Sequence, residues 1–307
     1  MTYAPIAVFA YDRVDHFEKM MASLRACHGF AQSPVTIFLD GAKGAQDAPR
    51  VEAMRSFARN LGLANVQLVE REKNMGLKAS IFDGVSKLCR QHGKVIVLED
   101  DLLVSPCILD YFNAALERYK DETRIWSVIG YQFDVPALRA YDKALILPFT
   151  HCWGWATWDR AFSKFSLDVD VPQRDFNSKT FQRFFDVGGV RDYTAMLKLA
   201  MQGRINSWFI RWYYTIFCRH GVSVFPPASY VANIGLGAGG THASGLNPYH
   251  LLVRPAPLKE DLVTLPATFC VDYWALDLMR KSWDAKVQKG ISFLGRIKRI
   301  LKALLGK

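Results

Sequence analysis

The sequence predicts an α/β fold built on a mostly parallel sheet covered by helices on both faces. Short apolar runs alternate with amphipathic stretches over the first hundred residues. The polar residues fall just after the runs, and each amphipathic stretch repeats its apolar positions at helical spacing. A strand–helix–strand order of this kind requires parallel strands joined by helical crossovers.

The elements can be taken in turn. Pro5–Ala10 reads as a buried strand, followed by a helix marked by Val14, Phe17, Met21 and Leu24. Pro34–Leu39 is a second strand, ending in Asp40-Gly41, and Val51, Met54, Ala58 and Leu61 mark the second helix. Val66–Val69 is a short third strand, and Leu77, Ile81, Val85 and Leu88 mark a third helix, with Gly93 beyond it. Lys94–Leu98 is a fourth strand that runs directly into Glu99-Asp100-Asp101. Beyond Pro106 come a helix near 108–119, strands at 126–129 and 144–147, an aromatic cluster at 151–158, a Phe-rich helix after Ser178, and a Gly-rich stretch over 233–245. No linker separates the halves. The expected organisation is one domain over 1–280, made of two halves at 1–105 and 106–280, then a basic tail at 281–307.

Charge narrows the function. The chain has 307 residues, 39 Lys plus Arg against 29 Asp plus Glu, and a net charge of +10. Residues 281–307 alone carry +7, so the body is close to neutral and a nucleic-acid-binding surface is not expected. Six scattered cysteines lack any C-x-x-C pair and read as buried thiols in a reducing compartment. No long apolar run suggests a membrane span, and the N-terminus lacks the features of a signal peptide. The expected location is cytoplasmic. Leu294, Ile297, Leu301 and Leu304 share one face of a C-terminal amphipathic helix whose other positions are basic, a pattern suited to peripheral membrane contact over 290–305. Docking of that helix on the body is the alternative.

In an open parallel sheet, ligands sit beyond the carboxyl ends of the strands. Asp12, Arg13, Asp40 and the acidic triplet all fall there. Three adjacent acids are costly to hold together unless a cation neutralises them, and carboxylate oxygens suit Mg²⁺ or Mn²⁺. A solvated acidic turn is the plain alternative. Asn74 can cap the third helix, and Lys78 in its first turn could reach a phosphate.

The succession PIAVFAYDR, FLDG, VIVLEDD, GWATW and NIG…THASG resembles the GT-A class of nucleotide-sugar glycosyltransferases. It is most similar to enzymes related to N-acetylglucosaminyltransferase I and to bacterial family 2-like sugar transferases. The resemblance spans about residues 5–245 and implies a Rossmann-like GT-A fold. It implies that Arg13 contacts the nucleotide diphosphate, Asp40 the base, and Glu99 and Asp100 the sugar and ribose. Asp101 would be the direct metal ligand, with His242 completing the metal shell. Trp153, Gly154 and Trp155 would line the sugar pocket. The chain departs from the family at Ser207–Trp212, where Phe209 or Ile210 stands in place of the acidic base. Asp192, Asp159 or Asp170 could substitute, with Asp192 preferred, and Arg211 could contact an anionic group. The expected donor is a nucleotide sugar, bound by the nucleotide-sugar-binding half at 1–105, and the expected acceptor, met by the acceptor half at 106–280, is a glycan or lipid-linked glycan of surface polysaccharide synthesis. A sugar-phosphate nucleotidyltransferase and a non-catalytic binding module remain alternatives. The first is disfavoured by the absence of glycine from Tyr11–Asp15 and the second is favoured by the missing base.

Overall fold

The computed structural model describes residues 3–235 and 261–283. Ten strands and ten α-helices lie within them. The expected β1–β4 are present as Ile6–Ala10, Val35–Leu39, Val66–Glu70 and Lys94–Glu99, with α1 Val14–Arg25, α2 Ala48–Arg59 and α3 Gly76–His92 between them. Then follow β5 Leu102–Val104, α4 Ile108–Arg118, β6 Ile125–Ile129, β7 Leu145–Leu147 and β8 Trp155–Trp158. Four helices come next, α5 Asp159–Phe162, α6 Gln173–Asn177, α7 Lys179–Phe185 and α8 Tyr193–Met201. The last elements assigned are α9 Phe209–Phe217, β9 Val222–Phe225 and β10 Val231–Asn233. Residues 273–283 are also helical.

The main sheet has eight strands in the order β3-β2-β1-β4-β8-β6-β9-β7. β3, β2, β1 and β4 pair in parallel, in register from Val35↔Val66 through Ile6↔Val35 to Ile6↔Ile96. β8 runs antiparallel to both β4 and β6, and β7 antiparallel to β9. Strands from both halves of the chain therefore share one sheet. All residues of β1, β2, β6 and β8 are buried, as expected of strands covered on both faces.

The aromatic side chains show how the second face is covered. Trp155 on β8 packs against Phe162 of α5 and Trp212 of α9, and Phe82 of α3 meets Phe162 and Phe165. Three residues on, Trp158 points to the opposite face and donates from Nε1 to the Leu116 carbonyl of α4 at 3.0 Å. That separation follows from the two-residue period of a strand. It also corrects one expectation. Trp155 is completely buried and stacks on Trp208 at 5.2 Å, so it is part of the core and does not line a sugar pocket.

No disulfide joins the six cysteines. Cys27, Cys89 and Cys107 are buried as expected and Cys152 is half-buried, whereas Cys218, at the end of α9, and Cys270, in the segment before the 273–283 helix, are exposed, which corrects the expectation for those two. Among the described residues no helix is long and apolar enough to cross a membrane. The tail helix expected at 290–305 lies outside the described residues.

Candidate active site

The strand order 3-2-1-4 places a switch point between β1 and β4. The chain leaves β1 towards β2 on one side, while β4 pairs on the other. The crevice beyond such a pair is where parallel sheets hold ligands. Phe9 lies opposite Glu99, and the Asp100 N–H donates to the Phe9 carbonyl at 3.1 Å, carrying the ladder one residue past β4. The turn after β1 thereby brings Arg13 onto the acids. Its Nη2 donates to Asp100 Oδ1 and, at 3.0 Å, to Asp101 Oδ2.

One guanidinium faces three carboxyl groups. Burial, reinforced by Asp101 and Asp100, pushes Glu99 up to about 8. Burial also pushes Asp100 up to about 7, with Arg13 opposing it. Burial works against the Arg13 charge, but Asp100 and Asp101 outweigh it and its pKa rises. The cluster is short of positive charge, which fits a further cation. Among the described residues no three carboxylate, imidazole or thiol groups converge as a ready-made metal cage. The donor set therefore suits an ion held by one or two carboxylates and completed by substrate oxygens, as Mg²⁺ and Mn²⁺ often are.

Asp101 is also fastened to β10, which pairs antiparallel with β5. The Ile234 N–H donates to the Asp101 carbonyl at 2.8 Å, and Asn233 Nδ2 lies 3.4 Å from Asp101 Oδ1. Asn233 Oδ1 in turn accepts from the Gly235 N–H at 2.8 Å. A Cβ on Gly235 would fall 2.2 Å from Asp101 Oδ2 and 2.8 Å from Arg13 Nη1, so only glycine lets the backbone pass so close. Sequence reasoning gave Asn233 no role. Its signal was available, as a polar residue ending an apolar run just before a glycine. His242 lies outside the described residues.

Asp40 sits at the neighbouring strand end and is buried. Its Oδ1 accepts from Gly41 N–H at 2.9 Å and Met75 N–H at 2.8 Å, and its Oδ2 accepts from Gly76 N–H at 2.8 Å. It thus caps α3 from a distant strand, satisfying N–H groups that the helix start leaves unpaired. Asn74, the expected cap, instead donates to the Gly41 carbonyl at 2.7 Å. A base contact by Asp40 must share a carboxylate already holding three N–H groups. Lys78 is half-buried in the first turn of α3 and makes no ion pair among the described residues.

The aromatic segment divides at Gly154, which takes φ +58° and packs beneath Val231. Trp153 stays partly exposed and meets Tyr131 at 4.7 Å and His151 at 4.9 Å, both edge to face. Burial, then Arg191, pushes the His151 imidazole down to about 3, so it is neutral. Burial, reinforced by Glu99 and Asp101, pushes the Cys152 thiol well up, and burial likewise raises the Tyr193 phenol, with Arg191 opposing it. Asp192 immediately precedes Tyr193 and is exposed at the start of α8.

Two expected residues are placed elsewhere. Arg211 is buried, with Nη1 donating to the Ser207 carbonyl at 2.7 Å and Nη2 to the Ala200 carbonyl at 2.8 Å. It ties the end of α8 to α9 and is not presented to a ligand. Asp159 follows β8 where Trp158 pairs with Lys94, at the opposite end of β4 from Glu99. Five residues of strand separate the two ends by roughly 17 Å, so Asp159 cannot serve as a base at the acid edge. Asp170 is exposed in the segment before α6.

No protein-family profile matches the chain, and no curated protein matches it by sequence. Its fold is similar to solved structures of sugar-transferring enzymes. A mannosyltransferase from Pyrobaculum calidifontis, solved with GDP-Man and Mn²⁺, matches at 14% identity over 71% of this chain and 70% of that one, with a TM-score of 0.38. An active-site variant of LgtC matches at 16% identity over 52% and 60%, with a TM-score of 0.34. A putative nucleotide-diphospho-sugar transferase from Desulfovibrio desulfuricans G20 matches at 12% over 52% and 65%, with a TM-score of 0.32. The chain thus spans less than two thirds of the last two. The overlap is partial, and the functional assignment rests on the residues of this chain.

Proposed function

We propose that the protein is a GT-A glycosyltransferase that moves a sugar from a nucleoside diphosphate donor to an acceptor hydroxyl. The observation that carries this reading is the Arg13–Asp100–Asp101 cluster beyond the β1/β4 switch point. A guanidinium and a buried acid cluster short of cations suit a diphosphate with its counter-ion, and do not suit a neutral ligand.

Asp101, with His242 as the sequence suggests, would hold a divalent cation. Bound there, that ion would neutralise charge on the departing diphosphate. Arg13 would bind a diphosphate oxygen, with Lys78 as a second cation. Trp153 would offer an aromatic face to the sugar. The acceptor oxygen forms a bond to the anomeric carbon, the bond from that carbon to the diphosphate oxygen breaks, and the electron pair leaves with the nucleotide. We assign the acceptor proton to Asp192. The proposed acceptor is a glycan or lipid-linked glycan of surface polysaccharide synthesis, met by a cytoplasmic enzyme whose basic tail rests on the membrane.

A second reading follows from Arg13 alone. Because it already bridges both carboxylates, it can act as a built-in counter-charge and make donor binding independent of metal. Transfer assays over a panel of nucleotide sugars, with and without EDTA, test both readings. The first expects loss with EDTA and in Asp101→Ala. The second expects transfer that survives EDTA and is lost in Arg13→Ala. Absence of donor binding by any nucleotide sugar would refute both.

A further inference from the structure

A second concave site lies far from the acids. A groove of about 650 Å³ opens beside Pro148, just past β7, between α7 and the helix at 273–283. β7 stands four strands from β4 in the sheet, roughly 19 Å at ordinary strand spacing.

Its chemistry is amphiphilic. Val187 and Leu276 form a buried apolar floor. Phe184 and Tyr273 stand at its edge, 68% and 66% exposed, which is unusual for side chains of that size. Lys179 and Arg183 are exposed on one face of α7 at a four-residue spacing. Arg280 lies over Gly188, and its Nε is buried without a hydrogen-bond partner. No acid lines the groove, and none of these three cations forms an ion pair among the described residues. The nearest acids in sequence are engaged elsewhere. Asp186 accepts from the Thr194 N–H at 2.6 Å, and Asp277 pairs with Lys281 at 2.6 Å.

We infer that this groove binds an anionic phospholipid, the headgroup phosphate against Lys179, Arg183 and Arg280 and the acyl chain along Val187 and Leu276. Charge complementarity selects this occupant. The chain's own terminal segment, 284–307, carries seven basic residues and one acid, so the cationic rim repels it. That segment leaves from Trp283, on the same helix as Tyr273 and Arg280. Groove and basic segment therefore favour the same anionic lipid surface, and exposed aromatic side chains suit the headgroup level. The inference is independent of sugar transfer, so its failure would leave the proposed activity untouched.

The test is calorimetric titration of the full chain with monomeric dihexanoyl phosphatidylglycerol, dihexanoyl phosphatidylcholine and inorganic phosphate. Phosphatidylglycerol is expected to bind about tenfold more tightly than either of the others. Lys179→Glu/Arg183→Glu should weaken it by about tenfold, and Phe184→Ser several-fold, with melting curves confirming the fold. Phe184 is exposed enough that Phe184→Ser decides the matter if the double variant does not fold. Four results would overturn the inference: equal binding of the two lipids, phosphate as tight as phosphatidylglycerol, no lipid binding because the chain fills its own groove, or folded variants that bind like the wild type.

Discussion

Arg13 Nη2 stands 3.0 Å from Asp101 Oδ2 and also bonds Asp100, joining the turn after β1 to the end of β4 across the switch point of the sheet. The Arg13 side chain is one-third exposed while both acids are largely buried. Removing it leaves charge uncompensated on the more buried side. Arg13→Ala is expected to lower stability by about 1–3 kcal/mol, less than for a fully buried pair because solvent screens the guanidinium. It should also abolish nucleotide-sugar binding. Chemical denaturation and donor titration measure the two effects separately.

The acid cluster should make stability fall with pH. Glu99 and Asp100 are raised to about 8 and about 7 in the folded protein, above their ordinary values. Between about pH 4 and 8 the unfolded chain therefore binds fewer protons at these sites than the folded one. The stability they contribute is full below pH 4 and is lost as pH rises through 7 to 8. Asp100→Asn should flatten that decline and raise the melting temperature at pH 8 relative to wild type. A divalent cation should do the same for the wild type at pH 8, an effect EDTA removes.

Gly235→Ala should act on the site more than on the fold. Its new methyl group would collide with Asp101 Oδ2 and Arg13 Nη1. Loss of donor affinity by about tenfold or more is expected, with a melting temperature close to that of the wild type. Asn233→Ala, which frees one oxygen of Asp101 without adding bulk, should give a milder loss in the same titration.

Asp40 separates two roles. Asp40→Ala strands the N–H groups of Gly41, Met75 and Gly76, and an unfolding loss of about 1–3 kcal/mol is expected. If Asp40 also contacts the base, Asp40→Asn will weaken a nucleoside diphosphate more than inorganic diphosphate. Equal weakening of both ligands would assign it to capping alone.

The two tryptophans flanking Gly154 should part company. Trp155→Ala empties the core against Trp208 and Phe162 and should cost about 3–5 kcal/mol. Trp153→Ala should leave the melting temperature nearly unchanged and raise the donor KM. Thermal melting beside steady-state kinetics distinguishes them.

The first four strands and three helices were legible because each buries one apolar pattern and ends on a polar residue. The same pattern placed Arg13 and the acids on one edge, since parallel strands put like ends together. Trp155 misled because an aromatic run has no direction: whether it faces a ligand or the core is fixed by neighbours on α5 and α9. Arg211 misled likewise, because its partners are carbonyls of Ser207 and Ala200, which every sequence possesses. β8 was hidden as well, for its four residues are buried on both faces and show no alternation. The capping by Asp40 joins residues 35 and 36 positions apart, beyond any local pattern.

The reversed direction of β8 decides where the scaffold can be altered. Its first residue, Trp155, lies level with Val97 and Ile129, so the loop at 151–154 enters the sheet at the acid edge, where the neighbouring parallel strands finish. Within that loop Cys152 and Trp153 are half-buried, whereas His151 is buried and Gly154 is pinned by its positive φ and by its bond to the Gly130 N–H. Exchanges in the middle of the loop can therefore reshape that edge while the ladders on either side stay intact.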